Sequence, residues 1–145
     1  MLRQTRRIIR NLTYRGITAV LGDKDGLVNL ATLRGPAKGL RFKLDLVKAI
    51  ESHYWFGIYD LEILRYLTRL IKPGWTIWDC GTYVGYYTVI FSKLAGQTGK
   101  VVAFEPDPHN LERTKANVAL NGLNNVQFVH AAIGAPIGIT DFVVS

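Results

Sequence analysis

From residue 60 onward the apolar positions change period, and each change marks an element. Leu61, Leu64, Leu67, Thr68 and Ile71 recur at helical spacing, with Arg65, Arg69 and Lys72 off that face or near its end. The pattern predicts an amphipathic helix that Pro73-Gly74 ends, with Asp60 as its N-cap and Glu62 in its first turn. Residues 76–80 then predict a strand, 85–95 a helix closed by Gly96, and 100–105 a strand whose unbroken apolar run implies burial on both faces. Asp107-Pro108 supplies an N-cap and a first-position proline for a helix running to Asn121-Gly122, with Leu111, Thr114 and Val118 on its inner face. Residues 126–132 read as a third strand and 139–144 as a fourth, joined by a turn at 134–138. Two consecutive strand-helix-strand units imply right-handed crossovers and a Rossmann-like parallel half-sheet, an α/β fold.

The upstream pattern is less legible. Residues 27–33 and 40–44 look like short strands separated by a turn-rich stretch at 34–39, which predicts a small β-hairpin before the main domain. The expected organisation is a basic arm and small β region over 1–55, followed by an incomplete parallel-sheet domain over 56–145.

A chain of 145 residues with 48% hydrophobic residues can bury one core. Its single cysteine, Cys80, rules out an internal disulfide and a cysteine-based zinc site, and suits a reducing, cytoplasmic compartment. Cys80 reads as a small buried apolar residue, and Trp55, Trp75 and Trp78 as core or hinge packing. His53 and His109 have no partners at metal-ligand spacing, so no metal site is expected. The net charge of +7 is uneven, because Arg3, Arg6, Arg7, Arg10 and Arg15 precede the first acid, Asp23. Such an arm can attract nucleic acid or an anionic membrane surface, but it lacks the interleaved aromatics of a single-strand binder. An ordinary solvated terminus is the default reading, with no nucleic-acid partner expected. Arg10 interrupts the apolar run too early for a secretory signal, and nothing approaches the roughly 18 apolar residues of a membrane span.

The chemistry concentrates at two predicted strand ends. Gly81 and Gly85 frame a Gly-x-x-x-Gly turn that opens a helix, where a ligand carboxylate or phosphate can approach the backbone; alone, the pair equally suits close packing. Asp79 at the same strand end would repel a bare pyrophosphate and welcome a zwitterion, its ammonium toward the acid and its carboxylate toward the turn. Glu105 follows Gly85 by 20 residues, the spacing at which a second strand end arrives beside the first turn, and can accept from two ribose hydroxyls. Pro106 offers an apolar surface for an adenine, with the end of the third strand, His130-Ala131-Ala132, on the ring's other side. His130 reads as a half-buried strand residue rather than a base. An amino acid, a ribose and an adenine in that order describe S-adenosylmethionine.

The segments Asp79 to Thr88, Val102 to Leu111, and Leu120 to Val126 with Asn117 closely resemble the FkbM family of S-adenosylmethionine-dependent methyltransferases. The likeness extends over 54–134, including Gly57-Ile58-Tyr59-Asp60 and Lys72-Pro73-Gly74. It implies a class I methyltransferase fold, with Asp79, Gly81 and Gly85 at the methionine end and Glu105 on the ribose; Thr82, Tyr83, Pro106 and Ala132 complete the expected cofactor-binding set. The family's usual Gly-Ala-Asn is here Gly81-Thr82-Tyr83, and Tyr83 is large enough to crowd the ligand. The implied acceptor is a small molecule or glycan, by O-methylation of a sugar or secondary-metabolite hydroxyl.

No general base is identified, and a complete fold of this kind has seven strands. An amino-terminal portion of an enzyme, with a sheet edge open to self-association, is therefore the expectation. Two alternatives remain: a nicotinamide-dependent oxidoreductase, against which the missing Gly-x-Gly-x-x-Gly counts, and a non-catalytic nucleoside-binding module or inactive fragment.

Overall fold

The computed structural model describes residues 2–135 and 138, and for 2–11 the helical backbone only. The fourth predicted strand, 139–144, lies outside the described residues. The chain divides into two compact units, residues 1–61 and 62–145.

In the first unit, α1 (Leu2–Leu21) precedes β1 (Val28–Ala31), β2 (Arg41–Leu44) and α2 (Ala49–Phe56). The two strands form the expected antiparallel hairpin, Val28 opposite Leu44 and Ala31 opposite Arg41. Phe42 and Leu44 point inward with Val28 and Leu46, following the two-residue period of a half-buried strand. Neither helix is anticipated by the sequence reading. In α2 the periodicity is inverted, because Glu51, Ser52 and Tyr54 are buried while Ile50, Trp55 and Phe56 are half-covered. Glu51 is wholly buried because its carboxylate serves the backbone, accepting from the Asp45 N–H at 2.7 Å. α2 ends at Gly57, φ 66°, where a Cβ would lie 1.9 Å from the Arg34 carbonyl oxygen.

The second unit comprises α3 (Leu61–Leu70), β3 (Thr76–Cys80), α4 (Tyr86–Ala95), β4 (Lys100–Phe104), α5 (Pro108–Leu120) and β5 (Val126–Val129). Its sheet is parallel in the order β3-β4-β5, with Asp79 beside Ala103 and Phe104 beside Val129. Asp107 caps α5 by accepting from the His109 and Asn110 N–H groups, as its sequence context predicts. Asp60, expected as the α3 cap, instead takes a left-handed φ of 43°. The third strand stops at Val129, where the Ala131 N–H turns back to the Val129 carbonyl.

The expectation that β4 is buried on both faces does not hold. Val101 and Ala103 are buried, whereas Val102 and Phe104 are half-exposed. Successive right-handed crossovers between neighbouring strands put α4 and α5 on one face and leave the other open among the described residues. Trp78 lies on that open face, 64% exposed, with its ring 5.3 Å from Phe104. The same geometry exposes Cys80, which is not the buried residue predicted, and Trp75 is also exposed, so neither it nor Trp78 packs in the core.

Candidate cofactor site

The carboxyl ends of β3 and β4 meet at the turn 81–85, and a closed set of hydrogen bonds shapes it. The Phe104 carbonyl accepts from the N–H groups of Gly81 (2.9 Å) and Thr82 (3.2 Å), joining the two strand ends. Glu105 is buried and accepts from the Tyr83 N–H through Oε2 (2.7 Å) and from the Asp107 N–H through Oε1 (3.1 Å). Asn117 Nδ2 donates to the Val84 carbonyl at 2.8 Å, and the Thr114 hydroxyl donates to the Tyr83 carbonyl at 3.0 Å. With its only proton committed there, Thr114 must accept from the Thr82 hydroxyl, 3.2 Å away.

These contacts redistribute the roles predicted for the turn. Gly81 and Thr82 do not present spare N–H groups to an anion, because both serve Phe104. Thr82 directs its side chain inward to α5. Gly81 remains the open position: φ is 89°, and a Cβ there would meet nothing within 4 Å. Gly85 is the opposite case, buried with φ 81°, its absent Cβ leaving room for Thr114 Cγ2 at 2.8 Å and Cα at 3.1 Å. The second glycine therefore lets α5 approach the start of α4. Tyr83 holds a left-handed φ of 52°, a conformation that asparagine tolerates much better than tyrosine.

Thr114 and Asn117, one helical turn apart and fully buried, were missed as turn-holding residues by the sequence reading. Buried polar residues spaced i, i+3 on an otherwise apolar helix face are the signal that could have found them.

Asp79 is buried beneath the turn, and the Thr88 hydroxyl donates to its Oδ2 at 2.5 Å. Burial pushes the Asp79 carboxyl above its usual range; the Thr88 bond opposes this, and the negative charge of Glu105 adds to it. Among the described residues neither acid forms an ion pair. The outer residues are more dispersed. Pro106 is half-buried, and its carbonyl lies 2.9 Å from His130 Nε2; His130 itself is exposed. Ala132 is exposed beyond the end of β5.

The site fits S-adenosylmethionine in three respects. Two buried acids without a cation suit a ligand ammonium, and the open flank of Gly81 admits a ligand to the backbone. Each oxygen of Glu105 also keeps acceptor capacity after its one backbone bond, enough for a pair of ribose hydroxyls. No group of three or more metal-ligating side chains occurs among the described residues, and no helix there is long and apolar enough to cross a membrane.

The chain is similar in sequence to known methyltransferases. The family model described as protein-L-isoaspartate(D-aspartate) O-methyltransferase matches residues 59–135. A protein-L-isoaspartate O-methyltransferase from Methanococcus maripaludis is 36% identical over 124 residues, 84% of this chain and 58% of the relative. A ribosomal protein L11 methyltransferase from Clostridium perfringens is 27% identical over 90 residues, 59% of this chain and 28% of the relative. A solved protein-L-isoaspartate O-methyltransferase superposes with a TM-score of 0.46 and 26% identity, covering 50% of this chain and 23% of that one. The chain thus spans little more than half the length of the Methanococcus relative. The cofactor class expected from the FkbM likeness agrees with these matches; its glycan acceptor does not, since the two curated relatives are named for protein acceptors.

Proposed function

The chain belongs to the protein-L-isoaspartate(D-aspartate) O-methyltransferase family, and on that footing we propose that it forms the cofactor-binding part of an enzyme that esterifies L-isoaspartyl carboxylates in proteins. S-adenosyl-L-methionine, the family's cofactor, supplies when bound an electrophilic methyl group for in-line transfer to an acceptor oxygen. The observation that carries the reading is the pair of buried acids, Asp79 and Glu105, at adjacent parallel strand ends beside the open backbone of Gly81.

In this reading Asp79 receives the ligand ammonium, a cation that no ion pair among the described residues supplies. Glu105, held by the N–H groups of Tyr83 and Asp107, accepts from the ribose hydroxyls in a fixed orientation. Pro106 lies next in sequence, where the adenine follows the ribose. Thr82 and Gly85 hold the turn from behind through their contacts with Thr114. The same two acids argue against a nicotinamide dinucleotide, whose pyrophosphate would meet negative charge on both sides.

The acceptor follows from the family and from elementary acidity. The isoaspartyl linkage runs through the side-chain carboxyl and leaves the α-carboxyl free, which ionises at about pH 3.5 and attacks as a carboxylate at neutral pH, so no proton need be removed. A sugar hydroxyl, by contrast, requires a general base. An isoaspartyl acceptor asks the described residues only to bind and orient.

The test is incubation with methyl-labelled cofactor and, in parallel, an isoaspartyl peptide, its aspartyl isomer and a free sugar. Base-labile label on the isoaspartyl peptide alone is the expected result. Label on the sugar would overturn the acceptor, and cofactor binding with no label on any acceptor would overturn catalysis by this chain.

A further inference from the structure

Thr88 is the third residue of α4 and is wholly buried. A threonine inside a helix ordinarily turns its hydroxyl back to a carbonyl one turn earlier. Thr88 instead reaches across to β3 and donates to Oδ2 of Asp79 at 2.5 Å, a separation in the range of a hydroxyl bonded to an ionised carboxylate. A valine would fill much the same space, so packing alone does not call for the hydroxyl. Ser92, one turn further along α4 and also buried, shows the structural use of such a group: its hydroxyl bonds Oδ1 of Asn125, whose amide nitrogen closes the end of the helix by donating to the Ser92 and Gly96 carbonyls.

β3 packs against β4 and α4, and both bear on Asp79. Burial disfavours its ionised form, the Thr88 hydroxyl from α4 favours it, and the charge of Glu105, just past β4, adds to the effect of burial. Asp79 is 9% exposed, and among the described residues its hydrogen-bond partner is Thr88, on Oδ2.

We propose that Thr88 is a positioning residue for the cofactor: its hydroxyl anchors Oδ2 of Asp79 from within the fold and leaves Oδ1 as the fixed acceptor for the ligand ammonium. The assignment rests on the cofactor reading above and adds the group that holds the acid in place. Thr88 has no exposed surface with which to touch the ligand, so it acts through Asp79. Without the hydroxyl the acid is free to turn, and burial and Glu105 together favour its protonated form, which offers the ammonium no charge.

The test is calorimetric titration of the whole chain with S-adenosylmethionine over a series of pH values from 3.8 upward, with far-ultraviolet circular dichroism establishing that each variant folds. Thr88→Val should bind about tenfold more weakly in the lower part of the series, the worth of one hydrogen bond to a charged acceptor, and the gap should narrow as rising pH ionises Asp79 unaided. Thr88→Ser keeps the hydroxyl and should follow the parent throughout. Ser92→Ala, which removes a buried hydroxyl that does not bond the acid, should do the same. In an Asp79→Asn background, Thr88→Val should change affinity by no more than about twofold, because its effect passes through the acid. A loss that is the same at every pH and persists in that background would overturn the assignment, leaving Thr88 a packing residue. Parent-like binding by Thr88→Val, or a loss of about tenfold in Thr88→Ser, would overturn it too. A folded parent that takes up no ligand would instead overturn the cofactor reading, and this assignment with it.

Discussion

Replacing Gly85 by alanine would set a methyl group 2.8 Å from Cγ2 and 3.1 Å from Cα of Thr114. Thr114 cannot swing aside cheaply, because it is fully buried and its hydroxyl is tied to both the Tyr83 carbonyl and the Thr82 hydroxyl. The new side chain would also have to occupy φ 81°. A left-handed conformation costs an L-residue about 1–2 kcal/mol and overpacking a further 1–3 kcal/mol, so Gly85→Ala should lose about 2–5 kcal/mol. That is a large part of the 5–15 kcal/mol typical of a whole domain. Gly81→Ala is the matched comparison, because its φ is 89° but its Cβ enters open space. It should lose only about 1–2 kcal/mol of stability, while its methyl occupies the flank where the cofactor approaches. Urea unfolding followed by tryptophan fluorescence measures the stability, with Trp75 and Trp78 reporting on the second unit; calorimetric titration measures cofactor affinity. Gly85→Ala within about 1 kcal/mol of the parent would refute the assignment of Gly85 to helix packing. Equal destabilisation by the two substitutions would refute the division of labour between the glycines.

Other substitutions probe the same network. Asn117→Ala removes the buried donor to the Val84 carbonyl and should cost about 1–3 kcal/mol in the same unfolding assay; a loss below about 0.5 kcal/mol would contradict its role in holding the turn. Tyr83→Asn should stabilise the chain by about 1 kcal/mol, since asparagine accepts the left-handed backbone more readily, and a net loss would show that the tyrosine ring outweighs the strain. Asp79→Asn should change the pH dependence of stability. The folded-state pKa of Asp79 is raised above 3.8, so the folded chain binds more protons between that value and the raised one. The parent therefore loses stability relative to the variant as pH rises through this interval, with the two nearest at lower pH; a difference growing in the opposite direction would reverse the assigned shift.

The elements of the second unit were legible because each carries a local signal. Asp107-Pro108 starts α5, Gly96 closes α4, and the apolar runs before Cys80 and Glu105 end at the turn and at the next cap. What failed depends on neighbours distant in sequence. The run 100–105 suggests two covered faces, but only the connectivity shows that α4 and α5 share one side, leaving Trp78 and Cys80 exposed. In α2, the buried Glu51 and Ser52 reverse the amphipathic pattern that would announce a helix. Residues 2–21 form a helix that was not legible because the interspersed arginines obscure the helical spacing of Ile8, Ile9, Leu12 and Val20.

The site was legible to the same depth. Asp79 and Glu105 do converge, because parallel pairing brings their strand ends together. The Gly-x-x-x-Gly spacing could not distinguish a glycine that admits a ligand from one that admits a helix. That distinction rests on Thr114, some 30 residues downstream of the turn.

Calorimetric titration of the chain with S-adenosylmethionine, in buffers of different ionisation enthalpy over a series of pH values from 3.8 upward, tests most directly whether the two acids form its binding site. Saturable one-to-one binding should release protons in the part of that series where burial keeps Asp79 protonated, because the ligand ammonium returns it to its ionised form, and Asp79→Asn should weaken binding and abolish that release. A folded chain that takes up no ligand, or that binds equally well and with the same proton release after Asp79→Asn, would contradict the account.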